Sequence, residues 1–157
     1  MYQVDRRDKV VEIADWPRSS AGSPCPMVLS GEGTLVLAYY VIDHEDEQVA
    51  MIHFHICYAS MFGPPNDEAL LGHPLYGRGL QSYSAYLVEG SSWIRSLEKM
   101  NSVHPYHRAE AFARRKHFIW TFHDSTFECV ADGYEIFLKQ GSIASLIPEM
   151  ARLLTKG

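Results

Sequence analysis

The strongest constraint on the fold of this 157-residue chain is a run of three short extended segments near its carboxyl end. Residues 116–122 and 126–131 are rich in β-branched and aromatic residues, and they flank the turn-forming residues 123–125. After the Asp-Gly pair at residues 132–133, which is typical of tight hairpins, residues 134–139 resume the extended pattern. The pattern predicts a three-stranded antiparallel meander.

Four earlier segments have the same β-branched and aromatic character. They cover residues 9–13, 34–42, 48–58 and 81–89. The polar run at residues 43–47 separates the second of these segments from the third, which predicts a β-hairpin with a charged tip. Together with the meander, these segments predict a mostly antiparallel sheet.

Three segments are predicted to be helical. Ser91 or Ser92 is a suitable N-cap for a helix whose apolar residues recur at helical spacing, and residues 109–115 predict a shorter helix. In the tail after Ser142, apolar residues form one helical stripe, but Pro148 lacks the backbone N–H that a helix interior needs. We therefore expect a short turn after Ser142 and then a helix with Pro148 at its first position.

Length and composition predict one α+β domain. A chain of 157 residues has the usual size of a single domain, and its hydrophobic fraction of 46% is ordinary for a globular protein. We predict a single compact domain over residues 1–157, with a mostly antiparallel sheet and about three helices packed on one face. A Gly- and Pro-rich loop insert at about residues 60–79 interrupts the pattern, and loops of this length are often functional.

Charge and cysteine content restrict the partners and the compartment. The net charge is −5 and the pI is near 5.9, whereas nucleic-acid-binding domains usually present a basic face, so we expect no nucleic-acid partner. The three cysteines show no Cys-x-x-Cys spacing, which predicts reduced thiols. The chain shows neither an apolar signal segment nor an apolar run of membrane-spanning length, so we expect a cytoplasmic protein without a membrane partner.

Histidines supply the most specific candidates for chemistry. The chain has eight, and imidazole is the commonest metal ligand among side chains. His53 and His55 are two residues apart in an extended segment, so a strand places both rings on one face. This spacing predicts a site for a divalent transition metal. The alternative is a pair of half-buried sheet histidines that hydrogen-bond to neighbouring side chains or water.

A second group of candidates lies on the later strands. His117 and His123 share one face of their predicted strand, and Glu128 and Asp124 are close enough in sequence to reach it. The opposite face of the strand is apolar and is expected to fill the core with Phe118, Trp120 and Phe122. If this strand neighbours the one with the earlier histidine pair, the merged face can bind zinc, manganese or iron. His123, Asp124 and Glu128 are then the candidates for catalysis. The alternative for Asp124 is a turn-forming role, in which its side chain bonds nearby backbone amides.

The long loop contains a third group of polar candidates. Asp67, His73 and Arg78 lie among its glycines and prolines, and we predict that they bind a ligand. A mobile loop that brings Arg78 over a pocket can clamp a carboxylate or a phosphate. The alternative is that the Gly and Pro content only shapes the loop. The sequence has neither a Gly-x-Ser-x-Gly nucleophile elbow nor a phosphate-binding Gly-x-x-x-x-Gly-Lys motif.

These observations support two functional hypotheses. The first is a small-ligand or metal-binding domain, with hydrolase-like chemistry in a histidine-lined pocket between the sheet and the loop. The second is a non-enzymatic module that binds a protein partner, for which the nine tyrosines provide contact area. The sequence leaves open whether the protein is an enzyme, what its ligand is and which oligomer it forms.

Overall fold

Two antiparallel sheets form the framework of the protein, for which a computed structural model describes residues 2–42 and 48–155. The nine strands of this part of the chain are β1 (Lys9–Glu12), β2 (Met27–Ser30), β3 (Leu35–Tyr40), β4 (Gln48–Phe54), β5 (Cys57–Gly63), β6 (Ala85–Glu89), β7 (Lys116–Thr121), β8 (Thr126–Ala131) and β9 (Glu135–Gln140). One sheet has the order β1-β6-β7-β8-β5, and the other has the order β2-β3-β4-β9. All neighbouring strands are antiparallel, as predicted.

The main hydrophobic core lies between the two sheets. Successive strand residues point to opposite faces, so alternate side chains of the central strands converge on this core. Its buried members are Leu35, Leu37, Tyr39, Ala50, Ile52, Phe54, Ala85, Phe118, Trp120, Phe122, Phe127, Cys129 and Ala131. The alternation of Phe118, Trp120 and Phe122 had predicted this inward face. Because these faces are apolar, the two sheets exclude water by packing on each other.

The predicted meander is only partly correct. β7 and β8 form the expected hairpin, but β9 leaves that sheet and pairs with β4. β8 already has β7 on one side and β5 on the other, so neither of its edges can accept β9. The chain therefore crosses from one sheet to the other near the Asp-Gly pair at residues 132–133.

The segment predicted as one strand at residues 48–58 is also divided between the sheets. β4 belongs to the four-stranded sheet and β5 to the five-stranded sheet, so residues 55–56 connect the two. The Gly- and Pro-rich insert begins after β5 and contains two short 3-10 helices, Leu70–Gly72 and Tyr76–Arg78. The predicted charged tip at residues 43–47 lies outside the described residues.

Three α-helices in the described part of the chain cover the outer faces of the sheets. They are α1 (Ser92–Asn101), α2 (Ala109–Ala113) and α3 (Ile143–Leu154). α1 packs Trp93 on the five-stranded sheet beside α2, whereas α3 packs Met150 on the four-stranded sheet. The α+β class and the number of helices are confirmed. The predicted packing of the helices on one face is wrong, because α3 packs on a different sheet from α1 and α2. None of the helices in the described residues is long and apolar enough to cross a membrane.

The start of α3 differs from the prediction. The helix begins at Ile143, and Pro148 lies inside it. Ser142 caps the helix by accepting a hydrogen bond from the backbone N–H of Ser145, and the Leu146 N–H donates to the Ser142 carbonyl at 3.2 Å. The helix is therefore established a full turn before the proline. Burial of the apolar stripe on the sheet offsets the backbone hydrogen bond that Pro148 cannot donate.

Candidate functional site

The predicted site residues lie in three separate places. The merged face predicted from adjacent histidine-bearing strands is wrong, because β4 and β7 belong to different sheets. His53 lies at the end of β4, on the face that packs against α3. Glu128 and His117 lie on the opposite outer face of the sandwich, and His123 lies in the turn between β7 and β8.

The first place brings two histidines and a glutamate together. His53 is directly opposite Glu135 of β9, and His55 follows the end of β4. One ligand atom from each of these three side chains lies within 4.8 Å of the other two. The His55 Nε2 is 3.1 Å from a Glu135 carboxylate oxygen, and the two imidazole centroids are 4.2 Å apart. Within the described residues, this is the one cluster of histidine and acidic side chains that meets this distance criterion.

A threonine orients the buried histidine in this cluster. The Thr34 hydroxyl donates to the carbonyl of Phe54 at 3.2 Å. Its oxygen is also 3.1 Å from His53 Nε2, so one hydroxyl contacts both the ring and the backbone at the end of β4. Orientation of a ligand histidine by such a partner is common in metal sites.

The exposure of the three side chains differs in a way that suits a surface metal site. His53 is 2% exposed, whereas the side chains of His55 and Glu135 are 51% and 58% exposed. One ligand is therefore held rigidly by the fold while two can adjust toward an ion from solvent. Glu135 was not among the sequence candidates, because only the register of β4 with β9 brings it beside His53.

The second place is a buried network around the carboxylate of Glu128. His73 Nε2 donates to one carboxylate oxygen at 2.9 Å, and His117 Nε2 donates to the other at 2.8 Å. The Tyr2 hydroxyl adds a third hydrogen bond at 2.6 Å. The Leu75 N–H donates to His73 Nδ1, which confirms that His73 bonds the carboxylate through Nε2–H. The network links the amino-terminal segment, the long loop and two strands.

Electrostatics keep Glu128 ionised although it is buried. Burial raises the pKa of this carboxyl. The hydrogen bonds from His117 and His73 lower it by a larger amount, so that the pKa falls to about 2. Burial and the neighbouring Glu128 carboxylate raise the pKa of Tyr2, so its hydroxyl stays protonated and donates. Both carboxylate oxygens are occupied by protein donors. This geometry stabilises the fold around Glu128 and His73.

The third place joins the long loop to the turn between β7 and β8. His123 Nδ1 is 2.9 Å from an Asp67 carboxylate oxygen, and the Tyr83 hydroxyl donates to the same oxygen. The backbone N–H of Asp67 donates to the His123 carbonyl at 2.9 Å, so main chain and side chains connect the same two residues. Tyr83 has a φ of +59°, a left-handed conformation that is uncommon for an aromatic residue.

Two other predicted residues take peripheral positions. The Asp124 side chain is 85% exposed, and its carboxylate lies 4.0 Å from His123 Nε2. Arg78 ends the second 3-10 helix of the loop. Neither belongs to the buried network around Glu128. Asp67 and His123, predicted for ligand binding and for catalysis, are in direct contact with each other.

Shallow apolar cavities border α1 and bear on the hypothesis of a binding module. One has a volume of about 310 Å³ and the other about 360 Å³. Leu97 and Met100 line both, so the two cavities adjoin the same side of the helix. In the first, the Arg115 guanidinium lies between the rings of Tyr58 and Phe112, 3.7 Å and 3.6 Å from their centroids.

Comparison with known proteins provides no functional lead. The sequence matches no protein-family model, no curated protein and no solved structure. A function for this chain is therefore inferred from the geometry and chemistry of its own side chains.

Proposed function

We propose that this protein binds a divalent transition metal ion through His53, His55 and Glu135. The observation that supports the proposal is the approach of one ligand atom from each side chain to within 4.8 Å of the other two. Two ligand atoms bound to one metal ion at roughly 2.0–2.2 Å lie at most about 4.4 Å apart, so the three side chains are close to ligating distance. The two exposed side chains, His55 and Glu135, can rotate toward an ion, whereas the fold holds His53 in place.

The ligand set favours particular metals. Two imidazoles and one carboxylate suit zinc, iron or manganese better than calcium or magnesium, which prefer oxygen ligands alone. Three protein ligands leave at least one coordination position for water or a small molecule. In zinc sites of this kind, the bound water ionises near neutral pH, so hydrolysis is the class of reaction that this ligand set supports.

The two exposed ligands already lie beside each other, because His55 Nε2 is 3.1 Å from a Glu135 carboxylate oxygen. A metal must replace the proton on the ligating nitrogen, so binding weakens as the pH falls. Thr34 keeps the His53 ring oriented in either state through its hydrogen bonds to His53 and to the Phe54 carbonyl.

Zinc titration of chelator-treated protein by calorimetry tests the proposal, with elemental analysis of the reloaded sample as a second measurement. We expect about one zinc per chain in the wild type and loss of that zinc in the His53→Ala/His55→Ala double variant. Glu135→Gln should weaken binding by at least about tenfold, since it removes a charged ligand while leaving a residue of similar size. This variant and the single His55→Ala variant change exposed side chains, so they preserve the fold.

A matched control is available on the opposite side of the molecule. His104 and His107 are also close in sequence, and His107 contacts Glu98 at 2.7 Å, but this group does not meet the ligand distance criterion. The His104→Ala/His107→Ala variant should retain the zinc. No binding by the wild type, or equal loss in both double variants, would contradict the proposal. The binding-module hypothesis, which stays a prediction, would then take precedence.

A further inference from the structure

The contact between Asp67 and His123 resembles the part of an active site in which a carboxylate orients a histidine. His123 Nδ1 lies 2.9 Å from Asp67 Oδ2, and a carboxylate can only accept, so the ring donates through Nδ1–H. The lone pair of the neutral ring is then on Nε2. Since the His123 side chain is 43% exposed, the imidazole edge is accessible from solvent.

We propose that Asp67, His123 and Tyr83 form a proton-transfer site in which His123 Nε2 is the general base for a neutral or positively charged substrate. Asp67 orients the imidazole and stabilises the imidazolium. Tyr83 positions Asp67 by donating its hydroxyl proton to the same oxygen that contacts His123. This site is separate from the proposed metal centre, which lies at the end of β4 in the other sheet.

The site is held in place before any substrate binds. The Asp67 N–H donates to the His123 carbonyl at 2.9 Å, and the Thr126 hydroxyl donates to the Pro65 carbonyl at 2.9 Å. These two bonds fasten the loop to the hairpin of β7 and β8. A strained backbone, here the left-handed conformation of Tyr83, is frequent where a side chain must be aimed at a functional site. A preorganised base is what efficient proton transfer needs.

The charges around the ring support these roles. The hydrogen bond that His123 donates to Asp67, together with the negative charge of Asp67, raises the pKa of His123, with smaller contributions from Asp124 and Glu68. The hydrogen bonds from Tyr83 and His123 lower the pKa of Asp67, which therefore remains ionised. The Asp67 hydrogen bond raises the pKa of Tyr83 to about 12, so this hydroxyl stays protonated and keeps donating.

The same charges define the class of substrate. Three carboxylates, Asp67, Glu68 and Asp124, act on His123, so an anionic substrate is repelled and a neutral or cationic one is favoured. If the substrate is a neutral or cationic ester, Nε2 accepts a proton from water as the water oxygen bonds to the carbonyl carbon. The imidazolium then returns this proton to the leaving alcohol oxygen as its bond to that carbon breaks. One water is consumed, and no further reactant is needed.

Ester hydrolysis at a series of pH values, in the presence of a chelator, tests the proposal. The probes are p-nitrophenyl acetate, which is neutral, and acetylcholine, which is positively charged. We expect a protein-dependent rate that His123→Gln lowers by about 100-fold, the usual contribution of a general base. Asp67→Asn should lower the rate less and shift the midpoint of its pH profile downward, because the carboxylate no longer raises the pKa of His123.

The matched control is His104→Gln, which removes a histidine exposed at the surface between α1 and α2. This variant should hydrolyse both esters at the wild-type rate, because an exposed imidazole without an orienting carboxylate contributes little to the rate. Equal rates in His123→Gln and His104→Gln, or no wild-type rate above that of buffer, would overturn the proposal. NMR measurement of the His123 pKa in the wild type and in Asp67→Asn shows whether the variant is folded. A folded Asp67→Asn variant has a lowered His123 pKa and an otherwise unchanged spectrum, so a slower rate then reflects the altered base and not unfolding.

Discussion

At the scale of single residues, Glu128 shows how a buried charge is made compatible with a hydrophobic sheet surface. It is 3% exposed, and donors from His73, His117 and Tyr2 replace the water that its carboxylate has lost. An isolated charge at this position would be strongly destabilising, whereas a charge that receives hydrogen bonds from several donors is tolerated. The carboxylate thus serves as the centre of a structural contact between distant segments.

This network makes the stability of the protein depend on pH. The pKa of Glu128 is about 2 in the folded chain against 4.5 for an ordinary glutamate, so the unfolded chain takes up a proton first as the pH falls. Its contribution, about 3 kcal/mol, is present above pH 4.5 and is lost progressively toward pH 2. Urea unfolding from pH 7 to pH 2 should show this loss in the wild type.

Glu128→Gln isolates the contribution of this residue from that of other carboxylates. The variant should be less stable by about 3 kcal/mol at pH 7, because its amide NH₂ faces donors that need an acceptor. Its stability should also fall less with acid than that of the wild type. Glu89→Gln is the control, since this side chain is 54% exposed in a surface pair with Lys9. Parallel pH curves for wild type and Glu128→Gln would contradict the assignment.

At the scale of elements, α3 shows that packing outweighs local propensity. Its N-cap Ser142 and its buried stripe of Ile143, Leu146 and Met150 specify a continuous helix, although Pro148 opposes one. An isolated helix of this length would be marginal in water. The sheet surface against which α3 packs supplies the stability that overcomes the proline penalty.

Replacement of the proline should therefore strengthen the element. Pro148→Ala restores a backbone N–H that can donate to the carbonyl of Ala144, and we expect the free energy of unfolding to rise by about 2 kcal/mol. Chemical denaturation monitored by circular dichroism measures the change. Pro105→Ala, in the turn between α1 and α2, is the control and should change stability by less than about 0.5 kcal/mol. A destabilised Pro148→Ala would show that the proline ring makes packing contacts worth more than the hydrogen bond.

At the scale of the whole molecule, two sheets share one core, so each sheet depends on the other. Phe54 of β4 contacts Trp120 of β7 and Phe127 of β8, with ring centroids 5.8 Å away in each case. These contacts join strands that are far apart in the chain and belong to different sheets. Long-range pairings of this kind are made only when the whole sandwich assembles.

Truncation at this contact should destabilise the entire domain. Phe54→Ala leaves a cavity between the sheets, and we expect a loss of about 4 kcal/mol in a single cooperative transition. Thermal unfolding followed by both tryptophan fluorescence and circular dichroism measures the loss and tests cooperativity. Phe62→Ala on β5 is the matched control, because this side chain is 46% exposed and its loss should cost about 1 kcal/mol or less. Separate transitions for the two probes would contradict a shared core.

Local sequence patterns were enough to predict most of the helices and strands. The N-cap at Ser91, the apolar spacing of α1 and the alternation of β7 depend on neighbours within a few residues, and each was found where it was predicted. The sequence alone thus determined most of the extended and helical segments and which side of β7 is apolar, although it did not predict β2 or the start of α3. It also singled out His53 and His55 as a pair on the basis of their spacing.

Only the tertiary structure decided which segments meet. The division of the strands into two sheets depends on which strand edges are unpaired. Both edges of β8 are already paired, so β9 pairs with β4 instead. The same pairing brought Glu135 to His53, while loop and turn packing brought Asp67 to His123. Helix caps and the spacing of apolar residues depend on sequence neighbours, whereas these sites depend on long-range burial and strand pairing, which local residue patterns do not encode.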